Sequence, residues 1–224
     1  MKKNERTNGK RVLMAGIMLI LAFVVCTFLI QTVDVRPAGV NGTDIGFAAF
    51  NCWFHDLTGV DMTTYTITDW LGLVPIFICI VFGAVGFAQL VRRKSLLKVD
   101  SDLIILGIYY IIVILGYLIF EMIPINYRPI LIEGNMEASY PSSTTLLVLS
   151  VMPTLVEQVN RRLKSTAAKR IVLVFAAVFS AYMVIGRLLS GVHWFTDILG
   201  SVFLSAGLFC IYKSAVMLKN RKKC

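Results

Sequence analysis

Apolar residues fall into six near-continuous runs, at about 12–31, 70–91, 103–123, 143–159, 171–189 and 195–217. A helix needs about 20 mostly apolar residues to cross a bilayer. The runs are unbroken rather than alternating, so they predict membrane-spanning helices and not the strands of a barrel. The fourth run is short and opens on polar residues, and very little separates the fifth from the sixth. No internal repeat, low-complexity tract or second domain interrupts the pattern. The expected fold is an all-α integral membrane protein, with six transmembrane helices in one bundle and a single membrane-embedded domain over 1–224. The start of the chain imitates a signal peptide. However, the apolar stretch Val12–Ile30 is longer than a typical h-region and no A-x-A site follows it, so a retained first helix is expected.

Composition agrees with the pattern. Hydrophobic residues make up 57% of the chain and charged residues 16%, where a soluble domain has about a quarter charged. The five cysteines, Cys26, Cys52, Cys79, Cys210 and Cys224, form no CxxC or Cys/His pattern. Neither a disulfide framework nor a metal site is expected. Val25 stands before Cys26, where a lipoprotein site would want a small residue.

The net charge of +9 first suggests nucleic acid as a partner. Its distribution points to a membrane surface instead. Basic residues cluster at Lys2, Lys3, Arg6, Lys10 and Arg11, at Arg92–Arg93–Lys94 and Lys98, and at Arg161, Arg162, Lys164, Lys169 and Arg170. A last cluster comprises Lys213, Lys219, Arg221, Lys222 and Lys223. With six spans, these 19 of the 22 basic residues share one side. Both termini are then expected to be cytoplasmic, with the basic loops against anionic headgroups. No nucleic-acid partner is implied. Arg36, Arg128 and Arg187 alone lie on the other side, against the topology signal.

Two of those arginines sit in stretches suited to an anion. In "NYRPILIEGNMEASYPSSTTLL" (126–147), Pro141 and the run Ser142–Ser143–Thr144–Thr145 mark the start of the fourth span. Free N–H groups and the helix dipole at such a start attract negative charge. Ordinary helix capping would leave the same residues there. In "GRLLSGVHWFTDILGS" (186–201), His193 and Asp197 are four apart and would share one face of a helix. A carboxylate can fix the imidazole tautomer and free the other nitrogen as nucleophile or base. The bland alternative is an interfacial histidine paired with Asp197 for satisfaction alone. Ionisable groups at a membrane boundary are costly and usually functional.

At these residues the chain resembles the type 2 phosphatidic acid phosphatase superfamily, which shares its site with vanadium haloperoxidases. The family signature is KxxxxxxRP, PSGH and SRxxxxxHxxxD. Here the parts read "EMIPINYRP", "PSST" and "GRLLSGVHWFTD". The resemblance implies His193 as the nucleophile that forms a phosphohistidine and Asp197 as its orienting partner. Arg128, Arg187, Ser142 and Ser143, with backbone N–H groups, would hold the phosphoryl oxygens. It implies no metal and no cofactor. Glu121 replaces the family's lysine, Ser143 its glycine, Gly186 its serine, and Thr144 the histidine that protonates the leaving group. A threonine hydroxyl is too weak an acid for that task, and losing a general acid costs about 10²–10⁴-fold. His55, in "NCWFHDLTG", is the one other histidine and a candidate replacement. An interfacial histidine among Trp53 and Phe54 is the plainer reading. The 32–69 stretch, with five aspartates, is a candidate lid.

The resemblance implies a phosphatase of the cell's cytoplasmic membrane, acting on a lipid phosphomonoester or diphosphate on the non-cytoplasmic face. The competing expectation is a non-catalytic relative that binds lipid phosphate or another anion. A transporter has little support in a chain without repeats. The oligomeric state stays open.

Overall fold

The computed structural model describes residues 2–219, with side chains from Arg6 onward. Arg221, Lys222, Lys223 and Cys224 lie outside the described residues. So do the side chains of Lys2 and Lys3. The architecture is all-helical: α1 Lys2–Ile30, α2 Ala48–Thr58, α3 Met62–Leu71, α4 Leu73–Arg93, α5 Ser101–Met122, α6 Ser143–Arg162, α7 Thr166–Leu189 and α8 Phe195–Lys219. Among the described residues no strand forms, only isolated bridges such as Tyr127 with Ala138.

Each of the six apolar runs is a long helix. Five stretches are long and apolar enough to cross a membrane: Arg6–Ile30, Met62–Arg93, Ser101–Met122, Thr166–Leu189 and Phe195–Lys219. Their outer faces carry exposed residues such as Met14, Phe28, Phe77, Phe87, Ile111 and Val178, which suits contact with lipid. The chain is a multi-pass membrane protein. Helix α6 is different. It packs against α4, α5, α7 and α8 and buries Thr145, Ser150, Thr154 and Gln158 alongside Leu146, Val148, Val151 and Met152. Its polar residues face protein, which is why its hydropathy is low for a helix about 30 Å long.

The first and last helices make the most extensive pairing, α1 against α8. Small residues permit it: a Cβ on Gly207 would come within 2.8 Å of Ile20, and one on Gly16 within 3.0 Å of the Gly207 carbonyl. Membrane helices approach closely through such residues because lipid gives no hydrophobic drive between them.

The 32–69 stretch is no open loop. It holds α2 and α3, and α3 runs on through Gly72 into α4. Asp61 starts α3 as an N-cap, accepting from the N–H groups of Thr63 and Thr64. Helix α3 then lies against α7. A Cβ on Gly186 would stand 2.8 Å from the Thr68 methyl. The glycine in the family's serine position is what lets the two helices meet.

Candidate active site

The turn from α7 to α8 is built on a close approach. Gly191 has φ +68°, and a Cβ there would collide with the Gly59 carbonyl at 1.9 Å. The Asp61 N–H donates to the Ser190 carbonyl at 3.0 Å, fixing the start of α3 to this turn.

His193 lies in the turn, two residues before α8 begins. The expected shared helix face is therefore not what brings it to Asp197. Asp197 sits in the first turn of α8, and its Oδ2 accepts the Trp194 N–H at 2.9 Å. This is the acidic half of a capping box. It folds the chain back so that the His193 Nδ1 stands 3.6 Å from Oδ2. That is too long for a hydrogen bond. Asn126 donates to the other carboxylate oxygen at 3.4 Å.

The start of α6 is tied to the start of α8. The Ser142 N–H donates to the Asp197 carbonyl at 3.2 Å. Ser201 Oγ donates to the carbonyls of Ser142 at 2.9 Å and Asp197 at 3.0 Å. The Ser142 hydroxyl donates to Thr145 Oγ1 at 3.1 Å. Tyr140 packs where a side chain on Gly200 would sit, 2.4 Å from its ring.

Two buried arginines complete the cluster. Arg187, in the last turn of α7, is 1% exposed. Its Nη2 donates to Asp69 Oδ1 at 2.8 Å and to Thr144 Oγ1. Arg128 is 8% exposed, with its Nε 3.0 Å from Glu137. Both guanidinium carbons lie over the Tyr65 ring, at 4.8 Å for Arg187 and 5.7 Å for Arg128. Burial, then the Arg128 and Arg187 charges, push the His193 imidazole well below its usual 6.5. Nine buried side-chain atoms have no hydrogen-bond partner among the described residues, and seven of them belong here. They are Nε and Nη1 of both Arg128 and Arg187, both ring nitrogens of His193, and the Ser139 hydroxyl.

Two clefts meet at this cluster. A polar one of about 190 Å³ is lined by Glu121, Arg128, Glu137, Ser139 and Ser143 among others. A larger, mainly apolar one of about 570 Å³ runs between α4, α5 and α6, with Asp69, Ser143 and Thr144 among its few polar residues. Tyr117 and Ser143 line both.

The structure thus brings Arg128, Ser142, Ser143, Thr144, Arg187, His193 and Asp197 to one place. His55 sits in α2 with its ring 5.6 Å from that of Trp194, the neighbour of His193. Burial lowers its pKa. The sequence reading missed Tyr65, Asn126 and Glu137. It noted Asp69 only as one acidic residue of a loop. Nothing local marks these four, because each meets its partner through tertiary packing alone.

The fold is similar to that of a solved structure, the crystal structure of the first transmembrane PAP2 type phosphatidylglycerolphosphate phosphatase from Bacillus subtilis. The TM-score is 0.62 at 18% identity, over 92% of this chain and 96% of that one. No curated protein sequence matches the chain. The PAP2 superfamily profile matches residues 101–221, which is more than half of the sequence and includes Arg128, the start of α6 and the α7–α8 turn. The chain belongs to the PAP2 superfamily.

Proposed function

We propose that this chain is a membrane lipid-phosphate phosphatase that works through a phosphohistidine on His193. The observation that carries the reading is the set of buried N–H donors of Arg128 and Arg187 that make no hydrogen bond, Arg128 Nε having only its ion pair with Glu137, around a His193 ring whose two nitrogens also make none. Buried polar groups without partners cost about 1–3 kcal/mol each. A tetrahedral phosphoryl group would satisfy several at once, and its charge would offset the two guanidinium ions.

The chemistry follows from the geometry. The depressed pKa keeps His193 neutral near pH 7. With the proton assigned to Nδ1, the nitrogen nearer Asp197, Nε2 carries the free lone pair. Nε2 attacks phosphorus, the N–P bond forms, and the P–O bond to the leaving group breaks with its electron pair on oxygen. Arg128, Arg187, Ser143 and the first-turn N–H groups of α6 hold the phosphoryl oxygens, where preorganised donors are worth most. Water then attacks the phosphohistidine, the N–P bond breaks, and inorganic phosphate leaves. The leaving oxygen takes its proton from solvent, since Thr144 is a weak acid and accepts from Arg187. Leaving groups that need little protonation, such as the phosphate of a diphosphate, should react best.

The apolar cleft beside Ser143 and Thr144 supports a lipid substrate, with its tail between α4, α5 and α6. The basic-residue pattern supports six spans in a single membrane-embedded domain with both termini cytoplasmic. The site would then face away from the cytoplasm, in the cytoplasmic membrane. A second reading, binding of lipid phosphate without turnover, is favoured by Glu121 in the lysine position of the polar cleft.

The test is phosphate release from a panel of lipid monophosphates and diphosphates by purified protein in detergent. Release should disappear in His193→Ala, and the parent should trap an acid-labile phosphoenzyme. Binding of a lipid phosphate without release would move the conclusion to the second reading.

A further inference from the structure

Helix α3 lies outside the residues 101–221 that match the family profile. Yet it contacts both arginines. Tyr65 and Asp69 are four apart on one face of α3 and both reach Arg187. Tyr65 lays one ring against two guanidinium groups that would otherwise repel each other. Asp69 takes the Nη2 hydrogens together with Thr144, which leaves Nε and Nη1 unpartnered. The two partners differ sharply in solvation. The Arg187 side chain is 1% exposed, whereas that of Asp69 is 57% exposed and lines the apolar cleft. A solvated carboxylate thus stands at the side of a buried cation from which a lipid phosphate would arrive.

We infer that Tyr65 and Asp69 are positioning residues with opposite effects on anion binding. Tyr65 is the plate that holds both arginines in register. Asp69 is a resident counter-ion that orients Arg187 and weakens the site's hold on phosphate, which helps product leave. The inference rests on the phosphoryl-binding reading of the site, and its test does not require turnover.

The test is isothermal titration of inorganic phosphate into purified full-length protein in detergent. Asp69→Asn keeps the shape and removes the charge. It should tighten phosphate about threefold to fivefold, the size expected of a half-solvated ion pair. Where turnover is measurable, KM should fall without a rise in kcat. Tyr65→Leu should weaken phosphate about threefold to tenfold, and Tyr65→Phe should recover most of the loss, because the ring face and not the hydroxyl makes the contact. A general loosening of α3 would move both positions the same way, so opposite signs separate positioning from folding. Unchanged or weaker phosphate binding in Asp69→Asn overturns the inference, as does Tyr65→Leu with parental affinity. If the parent never releases phosphate but the affinities move as stated, the inference stands and the hydrolase reading falls.

Discussion

Gln158, near the C-terminal end of α6, is fully buried and hydrogen-bonded through both its amide nitrogen and its amide oxygen. Its Nε2 donates to the Tyr212 hydroxyl at 2.9 Å and its Oε1 accepts from Arg162. Arg162 in turn reaches Asp102 at 2.8 Å. A turn or two away, the Tyr110 hydroxyl shares a 2.7 Å bond with Thr154, and Tyr109 donates to the Ser150 carbonyl. At the N-terminal end of the same helix, Arg128, Arg187 and His193 are also buried and leave six of their nitrogens without a hydrogen bond, of which only Arg128 Nε has an ion-pair partner, Glu137. Among the described residues, the helix pairs its polar groups at one end except for the Ser150 hydroxyl, and leaves most of them open at the other. Unmet polar groups in apolar surroundings are costly. The proposed function puts a partner from outside the chain at the open end, while at the other, closed end polarity serves the fold.

The largest effect should come from the open end. Arg187→Met removes donors aimed at the phosphoryl group and should reduce turnover by about 10²–10³-fold. It should not lower the melting temperature. Its Nε and Nη1 have no hydrogen bond, and of the two groups that Nη2 leaves behind, Asp69 is exposed and Thr144 lines the cleft, so no stranded buried charge remains. A large thermal loss with parental turnover would erase the distinction between the two ends.

The closed end should answer in the opposite way. Gln158→Leu strips partners from Tyr212 and Arg162 and should destabilise the fold by about 1–3 kcal/mol. Turnover of the folded fraction should stay within about twofold. Thermal melts and initial rates on the same detergent preparations check both statements.

The helices were legible in the sequence, whereas the paired network of Gln158, Tyr212, Tyr110 and Thr154 was not, because its partners come from different helices. Long apolar runs identify their helices without tertiary information, and all six did. Even α6, with its low hydropathy, was visible as a short run opening on polar residues. Helices α2 and α3 gave no such signal, because short amphipathic helices are stabilised by docking and not by composition. Arg128, Arg187, His193 and Asp197 were legible through motif spacing. The spacing of His193 and Asp197 worked for a different reason from the one it suggested: the carboxylate caps α8 and turns the chain back, and no shared helix face is involved. Tyr65 was illegible, since a tyrosine under two arginines from distant segments leaves no trace in local sequence.

The charge state of His193 gives a sharper probe of the open end. In the parent the imidazole should remain neutral as pH falls through 6.5, held so by burial and by the two arginines. Arg128→Gln removes one positive neighbour, so the pKa should move up toward 6.5. The chain has two histidines, so ring 15N shifts, with His55→Gln for assignment, can follow the titration directly. The stability linkage has a definite sign. Below about 6.5 the unfolded chain binds a proton that the folded site refuses, so this group lowers stability as pH falls from there. A His193 that titrates at 6.5 in the parent would show that the arginines do not bear on it.

The smallest expected effect concerns Thr144, where the family carries its proton donor. Its hydroxyl accepts from Arg187 Nη2 and lines the cleft beside Ser143. An imidazole at this position can give a proton that the threonine hydroxyl cannot. Thr144→His should therefore raise kcat about tenfold on a monoalkyl phosphate, whose alkoxide needs protonation, and change it little on a diphosphate. The same side chain would compete with Asp69 for Arg187, so part of the gain should be offset by a higher KM. If His55 already protonates the leaving group, His55→Ala should cripple the parent and Thr144→His should rescue it. If Thr144→His raises no rate on either substrate, the missing acid is not what limits this site, and the contrast between a closed structural end and an open catalytic end must rest on the arginines and His193 alone.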